Sequence, residues 1–358
     1  MANNLRTYLK DPLLYQMYSE IRKVGAIRSI SLDITHRCNI RCKGCYYFEE
    51  SMDKYRSPKE KQAFDSFLQN EKQRGTNFIT IVGGEPSLEL DRIKKIYDNF
   101  HTSVATNGLK KIPYEGFEQL PIGIAVWGSP ETDFALRGGD KINVFAKALE
   151  NYKNDTRAFW YYTVAPGHAH EVAEVVRQCV DNGNAVLFNY YCDIAEMGGD
   201  FDYRKGFEEV RRKIDEMIEL YPDKILTTPY FNKVISTGQL FDMEWGYEVC
   251  TNISTNLESN KERMANGYPY NPHFRAYYAD FKTTRRCCTG ENRDCASCFD
   301  TWEHFSWIMV HLKKHLKNKA SFTNWLTTMY LFYLITRMID RDKGMELLVR
   351  VNRQSELH

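Results

Sequence analysis

The sequence predicts an α/β chain built on a partial (β/α)6 barrel, open on one side, followed by a small Cys-rich domain and C-terminal helices. Three observations lead there. Between residues 28 and 225, six β-branched or aromatic runs alternate with helical stretches, the pattern of a parallel sheet with crossover connections. The residues able to do chemistry stand just after those runs, where parallel barrels collect their active sites. The chain has 358 residues, enough for such a barrel with an appendage.

The first run, 29–34, alternates and is β-rich, so the cysteines that follow lie on a loop after a strand. Cys38, Cys42 and Cys45 are separated by three and then two residues. Three thiolates cannot close a four-thiolate zinc site alone, but they can hold three irons of a [4Fe–4S] cluster and leave the fourth iron open. The cysteines taken by themselves also suit a zinc knuckle.

After the cluster loop, Ser57-Pro58-Lys59-Glu60 reads as a helix start, and the helix runs to Arg74, with Gly75 ending it. The run 77–82 is the second strand, and it leads into Gly83-Gly84-Glu85-Pro86. Two glycines there let the backbone approach a ligand closely. Residues 102–105 form a third strand ending at Asn107-Gly108, and residues 122–127 a fourth. Helix 141–153, strand 158–164, helix 170–182 and strand 185–191 complete the barrel. By helical spacing with Val172, Val175 and Val176, Cys179 belongs to the core. The strand ends bring Cys38, Glu85, Asn107, Thr163 and Asn189 to one mouth, and Tyr162, Tyr190 and Tyr191 are candidates for the substrate wall or for catalysis there.

Thr35-His36-Arg37-Cys38 running into Cys42 and Cys45, with Gly83-Gly84-Glu85-Pro86 one strand–helix unit later, resembles the radical S-adenosylmethionine (radical SAM) superfamily. The resemblance implies a TIM-like barrel in which SAM chelates the open iron through its amino and carboxylate groups. One electron then releases a 5′-deoxyadenosyl radical. It implies that Gly83, Gly84, Glu85 and Pro86 hold the SAM amino group, with Asn107, Thr163 and Asn189 nearby. Many members carry an aromatic residue before the third cysteine. Here that position is Gly44, with Tyr46 and Tyr47 after it, so Tyr46 is the candidate adenine neighbour. Ala125 stands where the family often has a SAM-binding serine, so only Arg137 is carried over from that stretch. The family also implies an electron donor of the flavodoxin or ferredoxin class.

Beyond Gly198-Gly199-Asp200, which breaks the pattern, a helix at 204–220 and a short one near 228–242 lead to Cys250 and then to Cys287, Cys288, Cys295 and Cys298. This order resembles the auxiliary-cluster domains, SPASM or the shorter twitch type, that follow many radical SAM barrels. The resemblance implies one further [4Fe–4S] cluster on Cys250, Cys288, Cys295 and Cys298, with Cys287 as the alternative to Cys288. The same thiolates suit tetrahedral zinc. The expected division is therefore a lead-in at 1–27, the barrel at 28–225, the auxiliary region at 226–300 and a helical segment at 301–358. The lead-in is too short for the leader-peptide-binding domain that many peptide-modifying members carry.

Helix 301–317 and helix 321–339 are the least expected part. The second is apolar nearly all round, but Asn324, three threonines and Arg337 interrupt it, so burial against the barrel is favoured over a membrane span. The tail from Arg341 is charged and reads as frayed or solvent-facing. Forty-eight basic against 47 acidic residues give a net charge of +1, which argues against nucleic acid or a membrane held by bulk charge. Ten cysteines and no N-terminal apolar run predict metal ligation in a reducing cytoplasm.

The expected function is hydrogen abstraction from a small natural-product-like metabolite. Alternatives are radical addition or carbon–carbon chemistry on an apolar, isoprenoid-like lipid, and peptide maturation. A non-catalytic iron–sulfur or zinc scaffold would have no need of the Gly83–Pro86 loop.

Overall fold

The computed structural model describes residues 2–139, 141–192, 203–246, 250, 252–265, 273–291, 295 and 298–356. The Gly198-Gly199-Asp200 break lies outside them. Strands β1 (Ser29–Asp33), β2 (Phe78–Val82), β3 (His101–Thr106), β4 (Ile122–Val126), β5 (Ala158–Val164) and β6 (Ala185–Tyr190) pair in chain order, all parallel. These are the six runs of the sequence. β2, β4, β5 and β6 are largely apolar on both faces, as strands covered by helices on one side must be, whereas β1 and β3 alternate and put serines on the other side.

The sheet is wider than expected. Ala276–Tyr277 runs parallel to β1, and Thr284–Arg285 pairs antiparallel beyond it, giving eight strands. The Cys-rich segment thus extends the barrel sheet at the β1 edge. The join is made by a buried ion pair: both guanidinium nitrogens of Arg285 meet both carboxylate oxygens of Asp33, at 3.0 and 3.1 Å. A bidentate pair of this kind is geometrically specific. Between β3 and β4 the chain makes a loop instead of a helix. The buried Arg157 holds it, donating to the carbonyls of Ile112, Pro113 and Phe117 while paired with Asp155.

Several helix ends differ from expectation. The helix after the cluster loop starts at Lys61, because Ser57 is not its cap. The Ser57 amide instead donates to His36 Nδ1 at 3.1 Å, tying the segment back to the cluster loop. Gly75 ends the helix as expected, at φ 86°. Cys179 is fully buried, as its helical spacing predicts.

The 301–317 stretch divides into Thr301–Val310 and Leu312–His315. The next helix, Lys319–Ile335, starts two residues before the expected position and is capped by Asn318. Thr323, Thr327, Thr328 and Thr336 return their hydroxyls to carbonyls four residues back. That local bonding lets a polar-dotted helix be buried. Among the described residues, no helix is long and apolar enough to cross a membrane. The tail from Arg341 is not frayed: it forms the Arg341–Glu356 helix and buries Met345, Leu347, Leu348 and Val351. The Thr301–Val310 and Lys319–Ile335 helices pack on one another, and both contribute residues to the cavity wall.

Candidate active site

The loop after β1 carries Cys38, Cys42 and Cys45, and the loop after β2 is interlocked with it. The Gly84 amide donates to Thr35 O at 3.0 Å, and the Glu85 amide to Arg37 O at 2.7 Å. A Cβ on Gly84 would lie 2.1 Å from Arg37 O, and one on Gly83, at φ +122°, would lie 2.8 Å from Thr35 O. The two glycines are therefore required by the cluster loop itself, backbone against backbone, whatever ligand also approaches them. Glu85 is buried and fully engaged. Its carboxylate accepts from Ser87 N at 2.9 Å, Thr106 Oγ1 at 2.5 Å and Asn107 N at 2.8 Å. Asn107 Nδ2 then donates to Asn39 Oδ1, inside the cysteine loop, at 2.7 Å. The loops after β1, β2 and β3 form one hydrogen-bonded unit.

Arg137 is buried, contrary to what a lone arginine in a polar stretch usually does. It donates to Asp133 at 2.8 Å and to Ala125 O at 2.7 Å, and its guanidinium also bonds the Cys42 sulfur. In the metal-free chain, burial pushes the Cys38 thiol up to about 12 and the Cys42 thiol up to about 11, and it raises Cys45 as well. Opposing this, the Ile40 amide bonds Cys38, Arg137 bonds Cys42, and the Tyr47 and Phe48 amides bond Cys45.

A cavity of about 610 Å³ opens beside this loop and fills the barrel. Tyr46, Thr163, Asn189 and Tyr191 line it, and the Tyr191 hydroxyl stands 3.6 Å from the Cβ position of Gly44. Strand parity separates the tyrosines. On β5 the lining residues are Phe159, Tyr161 and Thr163. Tyr162 points to the other face, against Phe188, so the candidate from this strand is corrected to Tyr161. Tyr190 reaches the rim, but its hydroxyl bonds Asn232.

The later cysteines surround the far wall. The Arg285 that binds Asp33 also donates to Cys288 O at 3.2 Å, coupling the strand before the cluster loop to the auxiliary segment. Adjacent Cys287 and Cys288 have different neighbours. The Cys287 sulfur contacts Thr289 Oγ1 and Gly290 O, whereas the Cys288 thiol donates to the buried Glu303. Burial and the neighbouring Asp300 hold the Glu303 carboxyl well above the usual carboxylate range. Cys250 is buried within electrostatic reach of Cys287 and Glu303. Cys295 accepts from Arg286 at 3.7 Å. Cys298 is hydrogen-bonded to Cys192, whose sulfur also accepts the Phe299 amide at 2.9 Å. Among the described residues, no three His, Cys, Asp or Glu side chains converge as a single metal ion requires. Cys192, Arg285, Glu303 and Tyr161 were not singled out from the sequence. Only Cys192 carried a visible signal there, a cysteine at a strand end like Cys38.

A model described as a 4Fe–4S single cluster domain matches residues 28–119. No curated protein matches the chain. Among solved structures, native anSMEcpe with bound AdoMet and Cp18Cys peptide aligns over 82% of this chain and 83% of its own, at 16% identity and a TM-score of 0.50. The chain shares the fold of that structure. Streptococcus suis SuiB bound to S-adenosylmethionine aligns over 58% of this chain and 49% of its own, at 14% identity and a TM-score of 0.41. The three-cysteine loop lies wholly inside the matched 4Fe–4S region. Its residues fit a cluster: three free, half-buried cysteines on one loop that is interlocked with the next.

Proposed function

We propose that this protein is a radical SAM enzyme that abstracts a hydrogen atom from a small molecule held in the barrel. With the cluster bound at Cys38, Cys42 and Cys45, one electron from a flavodoxin- or ferredoxin-class donor cleaves SAM to methionine and a 5′-deoxyadenosyl radical, which takes a hydrogen atom from the substrate. The observation that carries this reading is the interlock of the two loops. Gly84 has no room for a side chain beside Arg37, so the loop read as the SAM amino-group site can only be built onto the cysteine loop.

In this reading the Gly83–Pro86 backbone receives the SAM amino group, and Asn107, Thr163, Asn189 and Tyr46 surround the rest. Arg137, already bonded to Asp133 and Ala125 O, positions Cys42 instead of reaching for SAM. Cys250, Cys288 or Cys287, Cys295 and Cys298 hold a second [4Fe–4S] cluster that accepts an electron or shapes the wall, and such clusters place the protein in a reducing cytoplasm. The apolar lining of the cavity favours a second reading for the substrate, an apolar lipid-like molecule.

The test is anaerobic incubation of the reconstituted protein with dithionite and SAM. 5′-Deoxyadenosine should form, and Cys42→Ala should abolish it. Continued cleavage in that variant refutes the assignment.

A further inference from the structure

Closed parallel barrels normally fill their interior with layers of bulky branched side chains. This one does not. The inward positions are Ser29 and Ser31 on β1, Ser103 and Ala105 on β3, and Gly123 and Ala125 on β4. At these positions three of the lumen's strands present side chains no larger than serine, while β2, between β1 and β3, presents Phe78, Thr80 and Val82. What remains is a hollow that runs the full height of the strands, from Phe78 at the start of β2 to Val82 at its end, about 13 Å at ~3.3 Å per residue. Its upper end opens beside Gly44 and Tyr46 of the cysteine loop, and its lower end is closed by Ala26, Ile27 and Phe274.

The opposite wall is apolar. Phe305, Met309, Met329, Phe332 and Ile335 come from the two helices that line the cavity beside the sheet. The volume, about 610 Å³, lies within the roughly 300–1,000 Å³ typical of small-molecule sites. The acids Asp300 and Glu303 and the amide of Asn189 line it, together with the small hydroxyls of Ser29, Ser31, Thr80 and Ser103 along the strands. The Oε2 atom of Glu303 is buried with no hydrogen-bond partner, and a buried oxygen of that kind needs one, which a hydroxyl can supply as donor or acceptor. No lysine, arginine or histidine is among the described residues lining the cavity.

We infer that the barrel lumen binds a long, uncharged hydrocarbon chain lengthwise, with a hydrogen-bonding head such as a hydroxyl at the cluster end beside Glu303. Burial of apolar area supplies the affinity along the lumen, at ~25 cal/mol per Å² removed from water. A carboxylate or phosphate head would be buried there with no cation among the described lining residues to compensate it, so it is disfavoured. The inference rests on the proposed function only in taking the cysteine loop as the reactive end. It names the substrate class of that site.

The experiment uses the full chain, reconstituted anaerobically, with the neutral rod-like fluorophore 1,6-diphenyl-1,3,5-hexatriene as probe. Its fluorescence should rise on binding, and straight-chain alcohols of increasing length should displace it. Affinity is expected to rise at least tenfold from the six-carbon to the ten-carbon alcohol, the length that fills the hollow, and the ten-carbon alcohol should outcompete the acid of equal length at pH 8. Ser103→Leu and Ala105→Leu, which place bulk in the hollow, should each weaken probe binding tenfold or more. Absence of probe binding by the parent protein, a flat chain-length series, preference for the acid, or undiminished binding by folded Leu variants would each overturn the inference. Should a Leu variant not fold, the displacement series on the parent protein decides. 5′-Deoxyadenosine formation is assayed separately, so loss of the radical reading and loss of the lumen reading are told apart.

Discussion

Replacing Gly84 by alanine would test the interlock directly. The new Cβ falls 2.1 Å from Arg37 O and 2.5 Å from Arg37 C, both backbone atoms. Real contacts of this type stay beyond 3.0 Å, so the two loops must part by about 0.9 Å. The Glu85 N–Arg37 O bond, now 2.7 Å, would then stretch past hydrogen-bonding range. Losing such a bond costs about 0.5–1.5 kcal/mol, and forcing bulk into a packed site costs typically 1–3 kcal/mol more. The penalty should therefore be roughly 2–4 kcal/mol, concentrated where Arg37 leads into Cys38. The assay is iron per chain after anaerobic reconstitution, with thermal denaturation and 5′-deoxyadenosine yield measured alongside. Iron should fall toward the content of a Cys38→Ala, Cys42→Ala, Cys45→Ala triple variant, and the melting temperature should drop by several degrees. Gly246→Ala, with nothing within 4 Å of its Cβ position, serves as the control. Parental iron content and stability in Gly84→Ala would refute the reasoning.

Two further outcomes follow from other parts of the molecule. The triple cysteine variant should still bind about four irons, the content of one [4Fe–4S] unit, with a spectrum that SAM does not perturb. Stoichiometric zinc in its place, under iron-replete expression, would overturn the auxiliary-cluster reading. His315 is buried, its Nδ1 bonded to His311 O at 2.8 Å and its Nε2 to the Tyr230 hydroxyl at 2.7 Å. Burial lowers its pKa from 6.5 to about 4. Between those values the unfolded chain binds a proton that the folded chain refuses, so this contribution is complete above pH 6.5 and is lost as pH falls toward 4. Urea midpoints at pH 7.5 and pH 5 should converge more closely in His315→Asn than in the parent, and equal pH dependence would count against the assignment.

The chemistry of the mouth was legible from sequence because it is encoded locally. Three cysteines within eight residues, and a Gly-Gly-Glu-Pro turn after a β-branched run, keep their meaning wherever the chain goes. The strands were legible for the same reason, since each is a short apolar run bounded by turn residues. Element ends were less so. Ser57 has every attribute of a helix cap, yet its amide bonds His36, a partner 21 residues away that no local pattern announces.

By itself, then, the sequence determined the order of strands and helices, the cluster loop and the residues that meet at the barrel mouth. Tertiary structure alone decided which tyrosine of β5 faces the lumen, because a strand buried on both sides shows no alternation from which to read its parity. It alone set Arg285 on Asp33 and Cys192 beside Cys298, contacts that span 252 residues in the first case and depend on how distant segments dock. The tail from Arg341 is charged on average, and only packing showed that its few apolar residues share a face that is buried. The lumen was hidden for a related reason. Serine, alanine and glycine at single positions of separate strands carry no signal one by one, and they make a cavity only when the sheet closes and brings their side chains around the same space.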